Sequence, residues 1–219
     1  MKALSYLKKG AIFILILLLI FVIQINSIVM VSNSRNIISM FITFFVILFL
    51  LLFLKNKLGF ELVDQSFKLK NMGLTVMLAV ISVVQSVTFS YVASINTQST
   101  STSNDLIANR LTSSNLVVMI IAMITVNLTG PILEEIVFRG MLFQQINNIF
   151  NSVIYGYIIT AIIFAYMHGG GSFMFVSYFL SSIITTYAFG KTGNIFNSII
   201  CHQLINIFST LQLLLVMNL

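Results

Sequence analysis

The sequence predicts an all-α fold, a polytopic bundle of about seven transmembrane helices, with six to eight possible at roughly 20 residues per span. Composition is the first reason: of 219 residues 58% are hydrophobic and 7% charged, with a mean hydropathy of +1.06. So few polar side chains cannot cover a soluble globule. Apolar runs long enough to cross a bilayer are the second reason, and they recur along the whole chain. The third is the scarcity of breakers, one proline and no long linker, which argues for a single membrane-embedded domain over residues 1–219. Within it, residues 1–114 supply N-terminal spans without motifs and residues 115–217 carry the polar motifs.

The first run covers Gly10 to Val31. It is longer than a usual signal-peptide core and lacks a small-x-small cleavage site, so it reads as a retained span. The second covers Ile37 to Leu54 and the third Met72 to Ile95, followed by a polar loop from Asn96 to Ser114. A fourth runs from Asn115 to Asn147, and Thr129-Gly130-Pro131 is expected to kink or break it. The fifth spans Val153 to His168 and ends at Gly169-Gly170-Gly171. A sixth from Phe173 to Phe189 and a seventh from Ile195 to Met217 complete the bundle.

The net charge of +6 is a topology signal, because the bases are scattered through short loops instead of gathered on a nucleic-acid-binding face. Lys2, Lys8 and Lys9 precede the first run, Lys55, Lys57, Lys68 and Lys70 separate the second from the third, and Lys191 separates the sixth from the seventh. With alternating spans all lie on one side, whereas Arg35 and Arg110 lie on the other. The positive-inside rule then predicts a multi-pass protein of the cell membrane with its N-terminus in the cytoplasm and its C-terminus outside. Cys201 is the single cysteine, so no intramolecular disulfide forms, and it reads as a buried, inert thiol.

Against this apolar background the stretch PILEEIVFRG places Glu134, Glu135 and Arg139 inside the fourth run. Ionisable groups at membrane depth cost roughly 2.5 to 3.5 kcal/mol each on insertion scales, so function is the default reason for them. Glu135 and Arg139 stand at i and i+4, the spacing of an intrahelical ion pair. Glu134 points about 100° away from Glu135, free to face a cavity. Phe164 and His168 repeat the i, i+4 spacing on the fifth run, and so do His202 and Asn206 on the seventh. Counting from the turn near Phe150 to Ser152 puts Glu134 and His168 at similar depth. Counting from the turn at Lys191 leaves His202 displaced by on the order of 10 Å, a gap expected to be closed by helix tilt or a kink at Pro131.

Taken in order over Pro131 to Asn206, Glu134-Glu135-x-x-x-Arg139, Phe164-x-x-x-His168 and His202-x-x-x-Asn206 resemble the motifs of the CPBP family, the CAAX proteases and bacteriocin-processing enzymes also called Abi. The Phe138-Arg139-Gly140 context after the paired glutamates is similar too. The resemblance implies an intramembrane endopeptidase with its active site among the C-terminal helices. Glu134 would be the general base that activates water with help from His168, His202 and Asn206 would stabilise the oxyanion, and Glu135 with Arg139 would be the supporting pair. Elementary chemistry agrees, since amide hydrolysis asks for a positioned base and for preorganised donors.

A zinc site remains open as the alternative, with Glu134, His168 and His202 as ligands and a free position for water. No His-Glu-x-x-His element reports on it. Two further function classes stand beside the protease: a non-catalytic bacteriocin immunity or membrane scaffold protein of the same family, and a proton or ion pathway, which also uses intramembrane carboxylates and histidines. The expected partners are the lipid bilayer and a peptide or membrane-protein substrate. Phe164 is expected to do no more than pack.

Overall fold

The computed structural model describes residues 2–33, 36–63, 68–95, 108–113 and 115–217. Among the described residues seven long helical segments follow one another, α1 Lys2–Asn33, α2 Ile37–Leu58, α3 Lys70–Ile95, α4 Leu116–Phe150, α5 Val153–Gly169, α6 Met174–Thr192 and α7 Ile195–Met217, with a short helical turn at residues 108–111 before α4. Among the described residues there is no named strand, and one isolated bridge joins Val63 to Asn194. The chain is an all-α, multi-pass membrane bundle. Apolar side chains such as Phe45, Phe49 and Tyr166 stand exposed on its flanks, where lipid takes the place of a hydrophobic core. The loop expected over Asn96 to Ser114, apart from residues 108–113, and Arg35 lie outside the described residues.

Five of these segments, α1 to α4 and α7, are long and apolar enough by themselves to cross a membrane. The α5 helix is shorter at 17 residues, about 25 Å against a hydrocarbon core of about 30 Å. In α6 the run is diluted by Ser177, Ser181, Ser182, Thr185, Thr186 and Thr192. These hydroxyls are affordable because α6 is an interior helix, packed between α3, α5 and α7, and most of them bond back to carbonyls of their own helix or meet a buried arginine.

Helix starts follow from local chemistry. Asn36 caps α2 by accepting from Ile38 N at 2.9 Å, and Asn115 caps α4 by accepting from Val117 N at 3.1 Å and Val118 N at 3.3 Å. Asn151, in the left-handed region at φ 50°, ends α4 and turns the chain into α5.

The expected break at Thr129-Gly130-Pro131 does not occur. The α4 helix runs on through the proline because a π turn, Thr125–Thr129, precedes it, and a second one covers Phe138–Phe143. In the first π turn Gly130 N bonds Thr125 O instead of Val126 O, and a Cβ on residue 130 would lie 2.7 Å from that oxygen. Glycine also lets the residue before a proline stay helical, a conformation that a side chain disfavours. Widening the turn moves the strain of Pro131 into one orphan carbonyl, Val126 O.

The docking of the α6–α7 turn accounts for the expected offset of roughly 10 Å at His202. The α6–α7 turn is docked higher on α4 than the α4–α5 turn. Ile195 N bonds Leu62 O at 2.9 Å, Val63 pairs with Asn194, and Leu62 packs on Gly140, whose missing side chain leaves room for it. Next to them Gln144 Nε2 bonds Glu61 O at 2.6 Å. Ile195 therefore stands beside residues 140–144 of α4, and seven residues up each helix bring His202 level with Glu135.

Candidate active site

Three helices bring the polar motifs to one place. On α4, Glu135 and Arg139 form the expected i, i+4 pair, Nη1 to Oε1 at 2.7 Å, and both side chains are 0% exposed. A charge pair this deep needs its remaining donors satisfied. The α6 hydroxyl ladder does so: Arg139 Nη2 reaches Ser182 Oγ at 3.0 Å and Thr185 Oγ1 at 2.5 Å, and Nε reaches Thr186 Oγ1 at 3.3 Å. The guanidinium also lies 4.9 Å from the Phe164 ring, a cation–π distance. Glu135 Oε1 accepts a second bond, from His202 Nδ1 at 2.7 Å, so the ion pair orients an imidazole of α7 as well as fastening α4 to α6.

Glu134 faces the other way, as its 100° offset requires. Its Oε2 lies 3.6 Å from His168 Nε2 and 3.9 Å from His202 Nε2. His168 Nδ1 donates to Phe164 O at 2.9 Å, and a carbonyl only accepts, so this bond puts the hydrogen on Nδ1 and leaves Nε2 as an acceptor in the neutral ring. The same reasoning applies to His202, whose Nδ1 donates to a carboxylate. Three acceptors therefore converge on one point at separations too long for direct hydrogen bonds. His168 is the most open of the three, with its side chain 21% exposed.

The Phe164 ring stacks on His168 at 4.1 Å, meets His202 edge-on at 5.9 Å and Phe138 at 5.1 Å. It is the common wall of the cluster. Asn206, one turn beyond His202, donates from Nδ2 to Val126 O at 2.8 Å, the carbonyl that Pro131 leaves without a backbone partner. Cys201 is buried in an apolar cluster with Leu78, Ala79, Ala188 and Ile205.

One site residue escaped the sequence reading. Gln24 of α1 places Nε2 3.5 Å from Glu134 Oε1 and 3.4 Å from His168 Nε2. The N-terminal spans thus add a polar contact as well as helices. The available signal was a glutamine, with Asn26 two residues on, inside the otherwise apolar stretch FVIQINS, and nothing in its spacing tied it to the later motifs.

Glu134 Oε2, His168 Nε2 and His202 Nε2 are the atoms that would face a metal, at separations of 3.6 and 3.9 Å from the carboxylate oxygen. Among the described residues no group of three His, Cys, Asp or Glu side chains is disposed to hold a metal ion. The Gln24 amide nitrogen, itself a donor, also reaches between Glu134 and His168.

Comparison with known proteins points the same way as the motifs. Residues 115–208 match the family described as type II CAAX prenyl endopeptidase Rce1-like, a segment that contains Glu134, Glu135, Arg139, His168, His202 and Asn206. Over 78 residues the chain is 33% identical to UPF0177 protein YxdF of Lactococcus lactis subsp. lactis (strain IL1403). That match covers 36% of this chain and 42% of the relative, less than half the length of either. No solved structure matches significantly.

Proposed function

We propose, from the match of residues 115–208 to the Rce1-like type II CAAX prenyl endopeptidase family, that this protein is an intramembrane endopeptidase cleaving a membrane-associated peptide or protein with water activated by Glu134. The observation that carries this reading is the convergence of Glu134 Oε2, His168 Nε2 and His202 Nε2 at 3.6 and 3.9 Å without mutual hydrogen bonds. The Gln24 amide reaches two of these acceptors only at 3.4 and 3.5 Å, so a closer donor is wanted between them, and water supplies two O–H bonds. Such a water is oriented by His168 and loses a proton to Glu134 as its oxygen attacks the substrate carbonyl. His202, held by Glu135, borders the same point, while Asn206, one turn further along α7, is bonded to Val126 O. Glu135 and Arg139 act through their neighbours, fixing the tautomer and direction of His202.

Orientation is part of the proposal. The N-terminus lies in the cytoplasm because Lys9 contacts Asn148 at the end of α4, while Lys55 and Lys57 lie at the end of α2 and Lys191 at the end of α6, all on one face of the bundle. Reporter fusions at Lys57, Asn104 and Lys191 are expected to read inside, outside and inside. A fusion at Lys191 reading outside contradicts this topology.

The function is tested by profiling new protein N-termini in membranes with and without the wild-type protein, in the presence and absence of a tight zinc chelator. Termini that depend on the protein and persist under chelation are expected. Termini that vanish under chelation and return with zinc would move the chemistry to a metal held by Glu134, His168 and His202. Identical sets with and without the protein would replace the protease with a non-catalytic immunity or scaffold protein.

A further inference from the structure

We propose that Gln24 of α1 is a further catalytic residue of the hydrolysis described above, on which this inference rests: its side-chain amide donates to the substrate carbonyl oxygen as that oxygen becomes an oxyanion. The N–H donors around Glu134 are otherwise nearly all committed. Arg139 is spent on Glu135, Ser182, Thr185 and Thr186. His168 Nδ1 is held by Phe164 O and His202 Nδ1 by Glu135, so each neutral ring offers an acceptor at Nε2. Asn206 Nδ2 holds Val126 O at 2.8 Å, and moving it away would strand a carbonyl inside the bundle.

Gln24 holds no short bond that it would have to give up. A primary amide carries two N–H bonds, and the Gln24 contacts of 3.5 Å to Glu134 and 3.4 Å to His168 are at the outer limit of hydrogen bonding. Exchanging such a contact for an oxyanion trades a weak bond for a charge-assisted one. The donor is also held in place before any substrate arrives. Ile16, Ile20 and Ile23, on the ridge beside Gln24, are buried in the cluster that contains Leu133 and Phe138. Further down, Gln145 Nε2 bonds Lys9 O at 2.7 Å and Lys9 Nζ bonds Asn148 O, which fixes the height of α1 against α4. Donors fixed in advance on a packed element are what transition-state stabilisation requires.

The step balances as ordinary hydrolysis. The water oxygen bonds the carbonyl carbon while one water proton passes to Glu134, and the carbonyl π pair moves to oxygen, which accepts the Gln24 N–H. Re-forming the carbonyl breaks the C–N bond, and the proton on Glu134 goes to the leaving nitrogen. The products are a carboxylic acid and an amine. The α1 helix, outside the segment that matches the protease family, thereby completes the site.

The test uses purified full-length protein in liposomes of phosphatidylethanolamine and phosphatidylglycerol, with a synthetic peptide spanning a bond identified by the terminus profiling above. Gln24→Met keeps the length of the side chain and removes both donors. Gln24→Glu keeps its shape and replaces donors by an acceptor. Both are expected to insert at wild-type level and to lower kcat by about 10²- to 10³-fold with KM unchanged. Wild-type kcat in either variant, a loss confined to KM, or failure of both variants to accumulate overturns the proposal. A wild-type rate for Glu134→Gln, or no bond to map at all, instead overturns the protease reading, so the two failures are distinct.

Discussion

Arg139→Ala is expected to remove most of the protein from the membrane fraction. The guanidinium is fully buried, binds Glu135 at 2.7 Å and fastens α4 to the Ser182, Thr185 and Thr186 face of α6. Without it the Glu135 carboxylate stays in the interior with the His202 bond alone, and its Oε2 already has no hydrogen-bond partner. Breaking one side of a buried pair costs about 3–5 kcal/mol, largely from the stranded charge. Native stabilities are only about 5–15 kcal/mol, so such a loss decides whether the chain accumulates. Arg139→Lys is expected to fall between alanine and wild type, because it keeps the charge and loses the planar fork that reaches several hydroxyls at once. Membrane protein level and thermal unfolding in detergent check this. If the cause is the stranded carboxylate, Glu135→Gln combined with Arg139→Ala loses less than the two single losses added together. Simple additivity would assign the effect to packing instead.

Glu134→Gln is expected to abolish peptide cleavage while leaving the protein inserted and folded. Glu134 has no strong bond to lose, since its contacts with His168, His202 and Gln24 lie between 3.5 and 3.9 Å. The amide matches the carboxylate in size but cannot take a proton from water. Removing a positioned general base typically costs about 10²- to 10⁴-fold in rate, and a loss within that range is expected even with the His168 and His202 imidazoles beside it. The histidines divide by their second nitrogen. His168→Ala loses the stacking on Phe164 and the helper at Glu134. His202→Ala additionally frees Glu135 Oε1 from its 2.7 Å bond. Both are expected to slow cleavage, and His202→Ala is expected to lower the protein level as well. Initial rates normalised to inserted protein separate these effects.

The three motifs were legible because helical spacing alone decides which side chains share a face. From it came the Glu135–Arg139 pair, the opposite heading of Glu134, and the projection of His168 and His202 toward a common region. Buried polar groups in a span also announce themselves by their cost, and the Ser182, Thr185 and Thr186 face of α6 could have been read as the partner of Arg139 from its i, i+3, i+4 spacing. What the sequence hid was the height at which elements dock. Counting from turns assumes that every turn lies at the same depth, whereas Asn194 pairs with Val63 and thereby lifts the α6–α7 turn to residues 140–144 of α4. The continuity of α4 through Pro131 was hidden too, because it depends on a π turn and on an amide, Asn206, that lies 75 residues later yet takes up the freed Val126 carbonyl. Gln24 had no visible partner for the same reason: its neighbours come from α4 and α5, and only packing brings them together.

The most direct test of Glu134 as the base is time-resolved N-terminal profiling of membranes carrying wild-type or Glu134→Gln protein at equal inserted levels. The predicted result is a set of termini that accumulates with the wild type and stays at background with the variant. Accumulation of the same termini at the same rate with Glu134→Gln would contradict the assignment of Glu134 and the water-activation mechanism built on it.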